Sequence, residues 1–238
     1  MILVAAQIVF ALTAWQLTPA GLIPHPSSIL GALGELLTGR LLIDNLLVSL
    51  LLTTKALFYS VAITLVFSYL SVIPFFHPIA QLIVKCRYLT LTGLIFIFTL
   101  LTRDGGALKL SLLMFGIVPF FTTSFLAVLV RIPAQEFELC QTLGYNRWQT
   151  LYEVIIVGKA DQVFEIVRQN FAIAWMMITM VEGLNMSEGG IGALLIKYNK
   201  YNDLTHVLAL QGVIFGIGLC FDYALGSLRR WLFPYTKL

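Results

Sequence analysis

Charged residues are scarce in this sequence. Its 238 residues include 15 Lys and Arg and 12 Asp and Glu, so only 11% are charged, whereas 59% are apolar. A soluble domain carries about 25% charged residues, and so few charges cannot cover the water-facing surface of a chain this long. Together with a mean hydropathy of +0.90, this scarcity indicates lipid as the main solvent and excludes a disordered chain.

Net charge and cysteine are also low. A formal net charge of +3 is too small to indicate nucleic-acid binding. The three cysteines are odd in number and widely spaced, which favours neither a disulfide framework nor a zinc site. The three histidines are far apart, and no nucleophile stands beside a base, so neither a catalytic site nor a metal site is predicted.

Long apolar runs, by contrast, are frequent. A membrane-spanning helix needs about 20 mainly apolar residues, and six runs meet this requirement, at about 1–18, 46–73, 82–102, 108–130, 162–184 and 204–228. The third run is the weakest, because Lys85, Arg87 and Tyr88 interrupt it. We interpret the first run as a span, with a cleaved signal sequence as the alternative. The predicted fold class is an all-α integral membrane protein with six transmembrane helices.

Basic residues in the loops predict the orientation. One side of the membrane would hold nine of them: Arg131, Arg147, Lys159, Arg168, Lys85, Arg87, Arg229, Arg230 and Lys237. The other side would hold five, namely Arg40, Arg103, Lys109, Lys197 and Lys200. By the positive-inside rule, both termini and segment 131–161 face the cytoplasm, and segments 19–45 and 185–203 face outward.

Segment 131–161 mixes helical periodicity with dense charge, and we predict two short helices joined by a tight turn. Pro133 suits the start of a helix, and Gly144 is the residue type that accepts a left-handed C-cap. Asn146 then stands where an N-cap belongs, with Gln149 three residues later to complete a capping box.

The second short helix has one apolar stripe, formed by Trp148, Leu151, Tyr152 and Ile155. An interfacial helix that only links two spans is one interpretation. A helix that docks into a groove of a cytoplasmic partner is the other.

Four stretches resemble the permeases of ABC importers of the nitrate/taurine/sulfonate type. The stretch Glu138-Leu-Cys-Gln-Thr-Leu-Gly144-Tyr-Asn-Arg-Trp-Gln149 is similar to the "EAA" loop of these permeases. The others are Leu22 to Leu30 with Trp15 before it, Glu182 with Gly190 to Leu195, and Asp222 with Arg229, Arg230 and Trp231. The resemblance therefore extends over nearly the whole chain in the same order.

This resemblance implies a single permease domain over 1–238, of the type I importer fold, with a cytoplasmic coupling-helix loop. It implies a plasma (inner) membrane location and a substrate path at the interface with a second permease subunit, in a homodimer or a heterodimer. An extracytoplasmic binding protein would deliver the substrate, and a pair of ATPase subunits, which would hold ATP and Mg, would dock on loop 131–158. The chain itself would bind no cofactor or metal and would not be an enzyme. The ATPase-coupling residues would be Glu138, Cys140, Leu143, Gly144, Arg147 and Trp148.

The sequence departs from the family pattern at three places. Leu139 and Cys140 replace the two alanines, and Ile156-Val157, followed by Gly158, replace the Leu-Pro that usually closes the loop. The second span lacks the glycines that allow close helix approach and reads Leu57-Phe-Tyr-Ser-Val-Ala62 instead. These departures fit a diverged member of an unequal pair of permeases.

Polar residues inside the predicted spans are candidates for the substrate path, because intramembrane charge is costly. They are Lys55, Thr92, Thr179 and Glu182. Lys55 could instead snorkel to the headgroups, the threonines could bond to the helix backbone, and Glu182 could be a solvated span end. Lys55 favours an anionic substrate, but the permease group also carries neutral and cationic molecules, so the substrate stays open.

Two ion pairs are also predicted. Glu165 and Arg168 lie three residues apart on one helix face, and Asp222 lies within two turns of Arg229. The competing class of protein is a secondary transporter or another polytopic membrane protein without an ATPase. A secondary transporter would show internal repeats, and none is evident between the two halves of the sequence.

Overall fold

The computed structural model describes residues 24–71, 75–102 and 104–234, and these ranges are helical without any strand. In chain order the helices are α1 (Pro26–Thr38), α2 (Arg40–Leu70), α3 (His77–Lys85), α4 (Leu91–Leu101), α5 (Gly105–Val130), α6 (Ala134–Thr142), α7 (Arg147–Thr150), α8 (Ala160–Leu184), α9 (Ile191–Lys200) and α10 (Leu204–Leu232). A short 3₁₀ turn, Cys86–Tyr88, follows α3, and a π-helical segment, Leu151–Val157, follows α7. The predicted all-α class is confirmed for this part of the chain.

Three of these helices, α2, α5 and α10, are long and apolar enough to cross a membrane. A fourth span is added if α3 and α4 are counted as one bent unit. Helix α8 covers the predicted fifth span with 25 residues, but Arg168, Asn170 and Glu182 make it more polar than the other three. The first predicted span, 1–18, and Trp15 lie outside the described residues.

The third predicted span is not one continuous helix. Helices α3 and α4 meet at an angle of 114°, and the backbone is extended at Leu89 and Thr90. Lys85 and Arg87 lie directly before this break. Charged side chains favour a polar phase, so a straight helix through 82–102 would carry both into lipid. The bend separates them from the apolar run Leu91–Leu101.

Helix α2 packs closely against α5 although it lacks glycine. Apart from Leu42 near its start, its buried residues are small, namely Ser49, Thr53, Ala56, Ser60, Thr64 and Ser68. Small side chains let two membrane helices approach closely. Serine, threonine and alanine therefore allow the close helix approach for which the permease family has glycine at this span.

The core lies where α5 and α8 cross. Leu112, Leu113 and Ile117 of α5 and Ile178 of α8 are fully buried. Trp175 of α8 donates an indole hydrogen bond of 2.9 Å to the Ile214 carbonyl of α10. A buried indole N–H needs such a partner, so this bond fixes the position of α10 beside α8.

A cluster of ion pairs holds α8 and α10 together at their charged ends. The predicted pair of Glu165 with Arg168 is present at 3.2 Å. The predicted pair of Asp222 with Arg229 is wrong, because Asp222 contacts Arg168 at 3.7 Å and Arg229 contacts Glu165 at 2.8 Å. Each arginine contacts a carboxylate on the neighbouring helix. These carboxylates are closer than a residue two turns away on the arginine's own helix.

Candidate functional site

Helix α6 ends in the turn that the sequence predicts. Gly144 has a φ of +75°, a conformation that costs a side-chain-bearing residue free energy. Its N–H donates to Gln141 O at 3.0 Å, and the Tyr145 N–H donates to Cys140 O at 3.0 Å. These two bonds form a Schellman motif, which sets the angle between the two short helices.

The predicted capping box at the start of α7 is confirmed. The Asn146 N–H donates to Gln149 Oε1 and the Gln149 N–H donates to Asn146 Oδ1, both at 2.9 Å. Helix α7 then widens into the π-helical segment, whose last bond runs from the Gly158 N–H to Glu153 O at 2.8 Å. Segments of π-helix occur often at functional sites. The chain turns at Gly158, and α8 begins two residues later.

A small apolar cluster anchors this loop to the bundle. Cys140, Val154 and Ile155 are buried together against Tyr69 of α2 and Leu129 of α5. A salt bridge of 2.8 Å between Lys159 and Glu136 ties the first short helix to the start of α8. Cys140 therefore packs inward. The loop is fastened to α2, α5 and α8, so that a force on it reaches all three helices.

The opposite side of the loop is exposed and largely apolar. We define the loop surface as Glu138, Leu139, Leu143, Tyr145, Trp148 and Tyr152. Trp148 is 75% exposed and Leu143 is 61% exposed, and a groove of about 290 Å³ runs between the apolar stripe of this segment and Tyr69 of α2. The Arg147 side chain lies outside the described part of the chain. Exposed apolar surface of this kind is typical of contact with either a partner protein or a membrane.

The four predicted path residues do not come together. Lys55 and Thr92 are exposed on α2 and α4. Thr179 lines a groove of about 490 Å³ between α8 and α10, which also exposes Gln211. Glu182 is fully buried on another face of α8, so it lies outside that groove.

Glu182 belongs instead to a buried polar cluster with residues from α2, α5 and α9. Its carboxylate accepts hydrogen bonds from Ser49 Oγ at 2.7 Å and from the Gly192 N–H at 2.8 Å. Lys109 of α5 is 1% exposed and donates to Gly189 O at 2.9 Å. The count of basic residues assigned Lys109 to a loop. The sequence signal for its burial was a lysine four residues inside an apolar helix, with a charge opposite to that of Glu182.

A metal site does not form within 24–71, 75–102 and 104–234, because these ranges contain no group of three His, Cys, Asp or Glu side chains close enough to hold an ion. Together the apolar helices, the exposed loop surface and the buried polar cluster define a polytopic helical membrane protein with an exposed apolar loop at one end.

Comparison with known proteins agrees with this class. The chain is 27% identical over 107 residues to a protein of Methanocaldococcus jannaschii named as an ABC transporter permease, in a match that covers 45% of this chain and 40% of that protein. It also resembles a solved amino acid ABC transporter structure, with a TM-score of 0.70 at 17% identity, over 83% of this chain and 97% of that one. No protein-family profile matches the sequence.

The sequence similarity points to the ABC transporter permease family, over less than half of either protein. The structural similarity, at this low identity, shows the fold alone. Neither similarity selects the nitrate/taurine/sulfonate group that the sequence motifs resemble.

Proposed function

We propose that this chain is the transmembrane subunit of an ATP-driven importer, and that a separate ATPase docks on the loop surface. The observation that carries the proposal is the pairing of a rigid turn at Gly144 with an exposed apolar face around Trp148 (75% exposed). A loop that merely links two spans needs neither feature. A docking helix needs both, because it must present anchors without losing conformational entropy on binding.

The same loop offers a mechanical connection. The π-helical segment passes through one turn at Gly158 into α8, which is 25 residues long. At 1.5 Å per residue, α8 extends for roughly 37 Å. A push on the loop surface during ATP-driven closure of the ATPase pair would move α8 along its whole length and change access from one side of the membrane to the other.

Glu138, Leu143, Arg147 and Trp148 are the proposed contacts of the ATPase, with Gly144 shaping the turn and Cys140 holding the loop to the bundle. ATP and Mg would stay on the ATPase pair. Because the loop carries the partner, loop 131–161 and both termini would face the cytoplasm of a plasma (inner) membrane.

The remaining partners follow from the permease resemblance. A second permease subunit, identical or different, would complete the substrate path, and an extracytoplasmic binding protein would deliver the substrate. Of the predicted path residues, Thr179 fits best, because it lines the groove between α8 and α10. The nitrate/taurine/sulfonate-like group, with a small solute as substrate, rests on the sequence motifs.

The test is co-purification from native membranes. The tagged full-length chain should retain ATPase subunits and ATP hydrolysis. Trp148→Ala should lower the affinity for the ATPase about thirtyfold, since buried Trp anchors commonly contribute about 2 kcal/mol to binding. Phe75→Ala is the matched control, because Phe75 is 77% exposed on another loop and should leave retention unchanged. Equal retention by both variants would contradict docking at the loop surface. Transport without any ATPase would favour a secondary transporter.

A further inference from the structure

The N-terminus of α9 has an unusual set of hydrogen-bond partners. A helix begins with free N–H groups that usually bond to a side chain of its own first turn, but α9 has no such local cap. Residues from α2 and α8 accept these bonds instead. The three bonds run from Gly190 N–H to Asn45 Oδ1 (2.7 Å), from Ile191 N–H to Ser49 Oγ (2.8 Å) and from Gly192 N–H to Glu182 Oε2 (2.8 Å).

The loop before α9 is held by a fourth bond, from a third helix. The Lys109 ammonium donates to the Gly189 carbonyl at 2.9 Å and is attracted by the Glu182 carboxylate. Both side chains are almost completely buried, at 1% and 0% exposed. A buried charge that loses its hydrogen-bond partner is left uncompensated, and this makes the closed arrangement preferred over a partly broken one.

Backbone geometry shows how closely the loop fits these side chains. Gly190 has a φ of +111°, and a Cβ atom at this position would overlap the Glu182 carboxyl group. Only glycine lets the backbone pass so near the carboxylate. The loop 185–190 and α9 together, which we call the strap, therefore cross the ends of α2, α5 and α8 at a distance set by Glu182.

The strap also has space beside it. A cavity of about 500 Å³ lies between the strap and α2, and its lining includes Asn45, Gly189, Ala193 and Lys197. Rearrangement of a packed element needs such free volume, because close-packed interiors do not deform continuously. The cavity borders Asn45, one of the acceptors that cap α9.

We propose that Asn45, Ser49, Lys109 and Glu182 form a latch that holds the strap closed across this end of the bundle, and that the strap opens as a unit when the latch is broken. Glu182 is the central positioning residue, because it contacts α2 through Ser49 and α9 through Gly192. Axial movement of α8 would displace its carboxylate from both partners together. The latch is a property of the chain itself and does not depend on an ATPase partner or on transport.

The test measures thiol accessibility in the full-length chain in detergent micelles. In a background with Cys86, Cys140 and Cys220 replaced, Ala193→Cys places a reporter thiol on the strap at a position that is 7% exposed. We expect Glu182→Leu to raise its maleimide labelling rate about tenfold, in line with the loss of a charge-assisted hydrogen bond. Glu182→Gln keeps an oxygen acceptor for Gly192, and its rate should fall between those of the parent and Glu182→Leu.

Two controls separate a latch from a general effect on stability. Glu153→Leu makes the same type of change at an exposed carboxylate of the π-helical segment, away from the strap, and should leave the labelling rate at the parent value. A reporter at Ala56→Cys, which is fully buried between α2 and α5, should stay protected in every variant. The proposal is overturned if Glu182→Leu leaves the strap reporter protected, or if it raises labelling at both reporters equally.

Discussion

Ser49 of α2 donates a hydrogen bond of 2.7 Å to the carboxylate of Glu182 in α8, although 133 residues separate them in the chain. The bond joins two helices of the bundle at the end opposite the loop surface. Ser49 also accepts a bond from the Ile191 N–H at 2.8 Å. One hydroxyl thus connects α2, α8 and the start of α9, and the position of each helix depends on the other two.

The row of small residues on α2 predicts that a smaller and a larger side chain at Ser60 change the stability of the protein differently. Its hydroxyl is buried and has no hydrogen-bond partner among the described residues, so Ser60→Ala should be neutral or slightly stabilising. Ser60→Leu should destabilise the protein by about 1–3 kcal/mol, because it overpacks the contact with α5. Thermal unfolding in detergent measures both. A Leu variant as stable as the parent would show that α2 and α5 are not closely packed there.

Arg229 should contribute more to stability than its neighbour Arg230. Arg229 of α10 bridges Glu165 at 2.8 Å and Asp161 at 3.8 Å on α8. Within the described part of the chain, Arg230 bonds only to residues of its own helix. Arg229→Gln should lower the free energy of unfolding by about 1 kcal/mol, since the pair is only partly screened by solvent. Arg230→Gln is the control and should leave the unfolding midpoint unchanged. Equal midpoints for the two variants would mean that the cross-helix ion pairs do not hold α10.

Replacing Gly144 or Gly31 with alanine should change local stability in opposite directions. Gly144 and Gly31 both have open space where a Cβ would lie, but only Gly144 has a positive φ. Gly144→Ala should destabilise the turn by about 1–2 kcal/mol, whereas Gly31→Ala in helix α1 should stabilise that helix by up to about 1 kcal/mol. Hydrogen exchange of segment 134–158 and of α1 measures the two effects separately. Unchanged exchange in Gly144→Ala would show that the left-handed turn does not limit the loop.

The capping box predicts a local effect at α7. Asn146→Ala removes the acceptor for the Gln149 N–H, and loss of an N-cap costs about 1 kcal/mol. Amide exchange at residues 147–150 should therefore become faster, while the core of α5 keeps its protection. Gln141→Ala, on the exposed side of α6, is a control that should not alter α7. Slow exchange at 147–150 in Asn146→Ala would mean that packing against Tyr69, and not the cap, maintains this helix.

Local features of the loop were predictable from short sequence patterns. Gly144, Asn146 and Gln149 act on neighbours within four residues, so their spacing alone specifies the turn and the cap. The pairing of Glu165 with Arg168 is local in the same way. The helix limits of α5 and α10 also follow from the apolar runs and lie within four residues of the predicted bounds.

Contacts between distant residues were not predictable in this way. Closeness along the chain predicts a pair of Asp222 with Arg229, but each has a nearer partner on α8. The sequence likewise predicts a loop charge at Lys109 and a path residue at Glu182, and both are buried. Whether a charge is buried depends on which helices cross beside it, and periodicity along one helix does not contain that information.

Apolar composition, the positions of the long helices and the capped turn of the loop are thus determined by the sequence itself, because each depends on solvent transfer or on bonds between near neighbours. The tertiary structure alone decided the bend between α3 and α4, the serine and threonine contact of α2 with α5, and the cluster of Lys109, Ser49 and Glu182. These features arise where separate helices meet, since burial converts isolated polar residues into partners that must satisfy one another.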